Sequence, residues 1–227
     1  MILSESIEDY LKAIYALKQE AGKVVTTQLA ERLEVKPASV TGMVRKLAEM
    51  KLVTYKPYQG VALTKSGRKI ALEIIRHHRL LELYLSEVMG LPWDKVHIEA
   101  EKLEHALSEE LEERIDELLG FPTTDPHGAP IPSKTGKVNS CVSHKLSELR
   151  QGEKATIAEV SDEDSELLRY LGDLGLFPKE VVRVVAVAPF KGPITLQLNQ
   201  REIVVGREAA NEIYVKAISK VESRMKK

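Results

Sequence analysis

Residues 26–50 read TTQLAERLEVKPASVTGMVRKLAEM, and this stretch decides the fold of the amino-terminal part of the chain. A threonine that can cap a helix opens it, which predicts one short helix over its first ten residues. Pro37 then predicts the start of a second helix, because proline is tolerated at the first helical position. Val40, Val44 and Leu47 recur at helical spacing and are expected to face a core. The stretch therefore predicts a helix-turn-helix.

The flanking residues complete a winged helix-turn-helix. Residues 4–17 carry apolar side chains at helical spacing, and residues 52–64, LVTYKPYQGVALT, form two β-prone runs around a turn. In this layout the second helix of the pair enters the major groove of DNA. A helical protein-interaction domain with a basic surface is the alternative. The residues expected at the DNA are Thr27, Lys36, Pro37, Ser39, Thr41, Arg45, Lys46, Lys56 and Tyr58.

The net charge of −1 conceals two blocks of opposite sign. Residues 24–80 hold eleven lysines and arginines against four glutamates, a net charge of +7. Residues 81–120 hold three basic against twelve acidic residues, a net charge of −9. The first block can meet a polyanion such as DNA, and the second can attract cations.

The 227 residues leave room for more than one domain, and the single cysteine, Cys141, excludes a framework of intrachain disulfides. The amino terminus lacks the basic and apolar regions of a secretory signal. No apolar run approaches the roughly 18 residues that a membrane span needs. We expect a cytoplasmic protein with no membrane segment.

Residues 96–107, VHIEAEKLEHAL, suggest a metal site. As one helix, this stretch would place two histidines and two glutamates on or beside one stripe, and an upstream helix offers a second histidine–glutamate pair four residues apart. These residues are His97, Glu101, Glu104, His105, His78 and Glu82. Imidazoles and carboxylates at this spacing suit a divalent transition metal. A merely solvated acidic helix face is the alternative.

The carboxy-terminal half changes in character. Residues 121–136, FPTTDPHGAPIPSKTG, predict a stiff, extended connector. Beyond residue 146, short β-branched runs predict a small barrel, interrupted by one helix in residues 161–176 that Ser161 can cap. The fold class is thus mainly α with a small β-barrel. We expect domains at 1–73 (winged helix-turn-helix), 74–143 (helical, with the proline-rich linker) and 144–227 (barrel).

Six segments in order resemble the diphtheria-toxin-repressor family of metal-dependent transcriptional regulators, and the match runs nearly end to end. They are EDYLKAIY, LAERLEVKPASVTGMVRKL, LTKSGRKIA, HHRLLELYL, DKVHIEAEKLEHALSEELEERI and GFPTTDPHGAPIP. The resemblance implies a homodimer that binds a palindromic operator in double-stranded DNA and represses metal-uptake genes. It also implies a helical dimerisation domain and a Src-homology-like barrel similar to the ferrous-iron-transport accessory fold.

The family's two metal sites can be carried over by position. The primary site falls on Asp9, Glu101, Glu104 and His105. The ancillary site falls on His78, Glu82 and His97, with Asp125 and His127 from the linker and Glu163 and Glu166 from the barrel, ahead of Asp162 or Asp164. Metal at the primary site would join Asp9 to the acidic helix. Without metal, the acids are expected to repel one another and to leave the DNA-binding unit mobile. A capping box with Ser6 is the alternative role for Asp9.

Three positions depart from relatives. Iron-responsive members have methionine and cysteine where this chain has Asp9 and Glu101. An all-oxygen-and-nitrogen site suits Mn(II), with Fe(II) as the second candidate and Zn, Co, Ni and Cd as metals expected to bind in vitro. Lys12 replaces the glutamate of the short manganese sensors, which favours two separated metal sites over a paired one. Gly42 replaces a larger base-reading residue, so the operator cannot be copied across.

Two other classes of function stay open. A winged-helix regulator with a non-metal effector would leave the acidic helix solvated. A metal-dependent hydrolase could use the same ligands to activate water. The hydrolase is less favoured, because it needs no basic winged module and the sequence has no nucleophile elbow or phosphate loop. We therefore expect a protein that is not an enzyme.

Overall fold

The computed structural model describes residues 3–56, 60–139 and 143–217, so Tyr58 and Cys141 lie outside the described residues. The chain separates into two compact units: Met1–Leu81 with Ala100–Phe121 and Ile131–Val138, and Glu82–Glu99 with Pro122–Pro130 and Asn139–Lys227. The division at 1–73, 74–143 and 144–227 stays a prediction. No helix in the described ranges is long and apolar enough to cross a membrane.

The first unit contains the predicted winged helix-turn-helix. Its elements are α1 Glu5–Ala21, α2 Thr26–Arg32, α3 Pro37–Glu49, β1 Val53–Lys56 and β2 Gly60–Leu63. Pro37 lies in the first turn of α3, and Val40, Val44 and Leu47 are fully buried, as the pattern predicts. The strands β1 and β2 pair antiparallel, with Val53 opposite Leu63. These contacts leave the polar face of α3 exposed.

Three further helices follow, α4 Lys65–Glu87, α5 Val96–Leu103 and α6 Glu109–Leu118. Thr64 caps α4, because its Oγ1 accepts a hydrogen bond from the amide of Gly67 at 3.1 Å. Ser108 caps α6 in the same way, accepting from Leu111 at 3.3 Å.

The helix α5 is shorter than predicted. It ends at Leu103, and the chain then tightens into a turn in which the Ala106 amide donates to the Leu103 carbonyl at 3.0 Å. The next helix, α6, follows at once, with its N-cap at Ser108. The last residue of α5, Leu103, is 43% exposed. Glu104 and His105 therefore lie on this turn rather than on the stripe of a continuous helix.

A six-stranded antiparallel sheet dominates the second unit, in the order β3-β8-β4-β5-β6-β7. Its strands are β3 His144–Lys145, β4 Lys154–Val160, β5 Val181–Val187, β6 Ile194–Leu198, β7 Arg201–Val205 and β8 Ile213–Ala217. Alternate residues such as Val182 and Val184 are buried, as expected when one sheet face covers a core. Two helices complete this unit, α7 Ser165–Leu174 and α8 Arg207–Asn211.

The N-cap of α7 is Asp164 and not Ser161, so the predicted cap was wrong. One carboxylate oxygen of Asp164 accepts hydrogen bonds from the amides of Glu166 at 2.8 Å and Leu167 at 3.2 Å. An Asp side chain at this position satisfies two amides that have no partner within the helix.

The predicted extended connector is also wrong over residues 125–130, which form a tight turn. Asp125 Oδ1 accepts hydrogen bonds from the amides of His127 and Ala129, both at 2.9 Å. Gly128 has φ +91°, and a Cβ there would lie 2.1 Å from the Ala158 carbonyl oxygen. The aspartate, which readily binds nearby backbone amides, outweighs the extended bias of the neighbouring prolines.

Candidate functional site

The first unit brings three of the predicted primary ligands together. Asp9 lies on α1, and Glu104 and His105 lie on the turn after α5; one ligand atom from each lies within 4.8 Å of the others. His105 Nε2 is 3.0 Å from Asp9 Oδ1 and 3.5 Å from Glu104 Oε1. Ligands that each lie about 2.1 Å from one ion stand about 3 Å apart at right angles. The residues therefore fit a single cation.

The other ring nitrogen of His105 is held by Glu8. Nδ1 lies 2.7 Å from Glu8 Oε2, so the imidazole presents Nε2 to the oxygens of Asp9 and Glu104. A carboxylate that orients the far nitrogen is typical of metal-bound histidine. The role of Glu8 was not predicted from the sequence, although its position next to Asp9 on α1 pointed to it.

Asp9 does not cap its helix, because α1 begins at Glu5 with Ser4 as N-cap. The capping-box alternative with Ser6 was therefore wrong. Burial raises the pKa of Asp9 above its ordinary value, and the nearby charges of His105 and Lys12 only partly oppose this. A half-buried carboxylate of this kind gains from a bound cation.

Glu104 is the most enclosed member of this cluster, with a side chain that is 1% exposed. Lys12 Nζ lies 2.6 Å from its Oε1, and His78 Nδ1 lies 2.5 Å from its Oε2. Burial alone would raise the pKa of Glu104, but the His78 hydrogen bond and the Lys12 charge outweigh it, and the pKa is lowered. Glu101 is 53% exposed and lies 3.7 Å from Lys12 Nζ. The acids are therefore partly neutralised, which corrects the expected repulsion.

The second unit contains two overlapping groups at metal-ligand spacing. His97 Nδ1 lies 3.1 Å from Glu82 Oε1 and 3.6 Å from Asp162 Oδ2. One ligand atom each from Glu82, Asp125 and His127 also lie within 4.8 Å of one another. The two groups share Glu82, which is fully buried at the end of α4.

His127 provides the test of whether this second cluster fits a metal. Its Nε2 lies 2.8 Å from the Trp93 carbonyl oxygen, so Nε2 carries the proton that makes this hydrogen bond. In the neutral ring Nδ1 then has the lone pair. This Nδ1 is buried without a hydrogen-bond partner among the described residues, and it lies 3.8 Å from Glu82 Oε1. Its geometry suits a ligand atom.

The two histidines of this cluster have perturbed pKa values. Burial lowers the pKa of His97, but Asp162 and Glu82 outweigh it and raise the pKa to about 10. For His127, burial is outweighed mainly by Glu82, and the pKa rises to about 9. The neighbouring carboxylates thus favour a proton on each ring, and a metal has to compete with that proton for the ring nitrogen.

The remaining predicted ligands lie as follows. His78 is on α4 one turn before Glu82, and its Nδ1 contacts Glu104. Glu163 and Glu166 are both exposed, and neither belongs to a group at metal-ligand spacing within the described ranges. Asp162, which we ranked behind them, lies beside His97 together with Glu82. Which acidic residue from the segment before α7 acts as a metal ligand stays a prediction.

The residues predicted to contact DNA lie mostly on the surface of the first unit. Seven are exposed: Thr27, Lys36, Pro37, Ser39, Arg45, Lys46 and Lys56. Thr41 is partly buried, and its Oγ1 donates a hydrogen bond to the Pro37 carbonyl at 3.2 Å. A Cβ at Gly42 would meet nothing within 4 Å, so the middle of α3 presents open space to a partner.

Comparison with known proteins identifies the chain's relatives. Residues 2–61 match the family described as iron dependent repressor, N-terminal DNA binding domain, and residues 64–133 match its metal binding and dimerisation domain. Iron-dependent repressor IdeR of Mycobacterium leprae is 32% identical over 228 residues, which cover 95% of this chain and 99% of the relative. The chain belongs to the diphtheria-toxin-repressor family. The resemblance drawn from the sequence is thereby confirmed.

Other members of the diphtheria-toxin-repressor family extend the match. The diphtheria toxin repressor of Corynebacterium jeikeium is 34% identical over 149 residues, 66% of this chain and 62% of the relative. A solved manganese-dependent transcriptional repressor in complex with manganese is 41% identical, with a TM-score of 0.88 over 93% of this chain and 100% of that one. Residues 144–217 match the FeoA domain, which agrees with the expected accessory-like fold of the sheet unit. These named relatives are repressors.

Proposed function

We propose that this protein is a metal-dependent transcriptional repressor that senses Mn(II), with Fe(II) as the second candidate. The observation that carries the proposal is the meeting of Asp9, on the first helix of the DNA-binding unit, with Glu104 and His105 on the turn after α5. Glu101, on the last turn of α5, is proposed as a fourth ligand. The chain is proposed to act on DNA in the cytoplasm, to control metal-uptake genes and not to be an enzyme.

The chemistry of the ligands supports manganese. The first cluster offers only carboxylate oxygens and an imidazole nitrogen, and it lacks the thiolate and thioether groups that favour softer ions. Similar solved structures include the manganese-dependent repressor with manganese and ScaR with bound Zn²⁺, which is 33% identical with a TM-score of 0.79. The iron-dependent relatives keep Fe(II) as an alternative.

The residues of the first cluster explain how metal could control DNA binding. A bound divalent cation supplies positive charge that ligands from two chain segments can share. Asp9 contributes from α1, whereas Glu104 and His105 contribute from the turn, so all three bind only when α1 is held against the turn. Metal binding then favours that arrangement by differential affinity. A tenfold gain in DNA affinity needs only about 1.4 kcal/mol of coupling.

The second cluster is proposed as an ancillary site with a supporting role. Glu82, His97, Asp125, His127 and Asp162 come from the end of α4, the start of α5, the linker turn and the segment after β4. Shared coordination of one ion would hold these segments of the second unit together. His78, which precedes Glu82 by one turn of α4, remains a proposed ligand here, as do Glu163 and Glu166.

A homodimer is proposed from the apolar surface of the first unit. Leu103, Leu111, Leu118 and Phe121 are between 43% and 68% exposed. All four lie on α5, on α6 or just after α6, and we propose that they form one apolar patch, because large exposed apolar patches mark interaction surfaces in soluble proteins. Two copies would place two α3 helices on a palindromic operator with half-sites one DNA turn apart.

The deciding experiment compares the wild-type chain with Asp9→Ala. DNA selected from a random pool by the Mn(II)-loaded protein serves as operator, at fixed ionic strength because phosphate contacts depend on salt. We expect Mn(II) to raise the DNA affinity of the wild type at least about tenfold and to leave Asp9→Ala unaffected. Glu5→Ala, an exposed acidic residue in the first turn of α1, is the matched control and should respond like the wild type.

Two results would contradict the proposal. Chelator-stripped wild type that holds the operator as tightly as the Mn(II)-loaded protein would remove the metal from the mechanism. An absence of stoichiometric Mn(II), Fe(II) or Zn(II) uptake in a calorimetric titration would favour a non-metal effector instead.

A further inference from the structure

Lys12 lies one helical turn after Asp9, and its ammonium group reaches the proposed metal ligands. Lys12 Nζ is 2.6 Å from Glu104 Oε1 and 3.7 Å from Glu101 Oε1. The Lys12 side chain is 23% exposed, while that of Glu104 is 1% exposed. The contact is therefore largely shielded from water, unlike a surface ion pair that contributes little.

The oxygen that Lys12 contacts is also the one that faces His105. Glu104 Oε1 is 3.5 Å from His105 Nε2, while Oε2 is engaged by His78 Nδ1 at 2.5 Å. A cation shared with His105 and Asp9 would use Glu104 Oε1. That oxygen cannot keep the 2.6 Å contact to Lys12 at full strength and also bind a divalent ion, because the two positive charges repel at this separation.

We propose that Lys12 is a tethered cation that neutralises Glu104 in the metal-free protein and must leave Glu104 Oε1 when metal binds. Competition between the ammonium group and the metal then sets the metal concentration at which the repressor responds. This inference rests on the proposed function and adds to it a residue that weakens metal binding.

The same contact has a consequence for the metal-free protein. Lys12 is on α1, and Glu104 is on the turn after α5, so the ion pair joins the same two segments that Asp9 and His105 would join through a metal. One ammonium group with one close carboxylate is a weaker link than a divalent ion with three ligands. Lys12 therefore gives the metal-free chain part of the arrangement that metal completes.

The test uses full-length Lys12→Gln, with Lys12→Arg as the variant that keeps the charge. Lys137→Gln, which removes an exposed lysine elsewhere in the first unit, is the control for net charge. The measurements are the Mn(II) dissociation constant from competition with a chromophoric chelator, and thermal unfolding of chelator-stripped and Mn(II)-saturated protein. Lys12→Met, neutral and similar in length, replaces Lys12→Gln if that variant fails to fold.

We expect Lys12→Gln to bind Mn(II) at least about tenfold more tightly than the wild type, because a positive charge close to the ion is removed. Its metal-free form should melt at a lower temperature, since buried Glu104 loses a counter-charge, whereas its Mn(II)-saturated form should not. Lys12→Arg and Lys137→Gln should remain within about threefold of the wild-type affinity.

The possible outcomes separate this inference from the function beneath it. A wild type that responds to Mn(II), together with a Lys12→Gln variant of unchanged Mn(II) affinity, overturns the role of Lys12 and leaves the proposed function standing. An equal gain in affinity in Lys137→Gln also overturns it, because the effect would then be one of net charge. A wild type that takes up no Mn(II) overturns both.

Discussion

Replacing Glu112 by glutamine should destabilise the first unit strongly, because it breaks a buried network of charged groups. Arg76 Nε lies 2.5 Å from Glu112 Oε1, and another of its nitrogens lies 2.6 Å from Asp116 Oδ2. A third nitrogen of Arg76 donates to the Pro132 carbonyl at 2.9 Å. One guanidinium group thus joins α4, α6 and the segment that follows the tight turn at residues 125–130.

The magnitude follows from burial. The side chains of Arg76 and Glu112 are 7% and 8% exposed, so neither charge is well solvated. Removing one partner of such a pair leaves the other charge buried, which costs about 3–5 kcal/mol. Because Asp116 still contacts Arg76, we expect a loss at the lower end of this range, about 3 kcal/mol in the free energy of unfolding. A functional effect should follow, because His77 Nε2 lies 3.4 Å from Glu112 Oε2 and its Nδ1 contacts the Glu104 carbonyl.

The neighbouring residue supplies the control. Glu113 Oε1 lies 2.6 Å from Lys134 Nζ, but both side chains are about half exposed. Urea denaturation monitored by circular dichroism should show a clear loss for Glu112→Gln and no measurable change for Glu113→Gln. Equal midpoints for the two variants would show that the Arg76 network contributes no more than a solvated ion pair, and the reasoning from burial would be refuted.

Two further predictions concern the second unit, and Gly136 of the first unit serves as the steric control for one of them. The ring of Trp93, the sole tryptophan, lies 5.6 Å from the His127 ring between centroids. Mn(II) uptake should therefore change the tryptophan fluorescence in a saturable way, and His127→Ala should abolish this change. A His127→Ala variant with the same fluorescence titration as the wild type would place the metal elsewhere. Gly128→Ala should lower the free energy of unfolding by at least about 2 kcal/mol, because a Cβ there meets the Ala158 carbonyl at 2.1 Å and φ is positive. Gly136 also has a positive φ, +75°, but a Cβ there would have its nearest contact at 3.5 Å. Gly136→Ala should therefore lower the free energy of unfolding by only about 1 kcal/mol, measured in a parallel melt. Similar losses for the two variants would contradict the steric argument.

Local periodicity was enough to predict much of the fold. Val40, Val44 and Leu47 are buried because helical spacing alone places them on one face of α3. Thr64 and Ser108 cap their helices because a hydroxyl at that position satisfies amides within the next turn. Interactions that span three or four residues can be read from one sequence.

Features that depend on distant segments were predicted less well. The helical pattern of residues 96–107 continues past Leu103, where α5 ends. The tight turn at residues 125–130 depends on one Asp125 oxygen and on the close approach of the Ala158 carbonyl. Of the acidic residues before α7, Asp162 lies beside His97, Asp164 caps the helix and Glu163 is exposed. Runs of similar residues carry no signal that distinguishes these roles.

The metal-free protein differs most clearly from what the sequence predicts. Clustered acids suggest repulsion until a metal arrives, yet Lys12 and His78 already contact the two oxygens of Glu104. Metal binding at this cluster is then an exchange of cations. Its free energy is that of the divalent ion with its ligands, minus that of the Lys12 contact that the ion displaces. Only about 1.4 kcal/mol of coupling between metal binding and DNA binding is needed to change the DNA affinity tenfold. A repressor that has to distinguish scarce from sufficient metal benefits from such a competitor, because the competitor moves the response to higher metal concentration without removing a ligand.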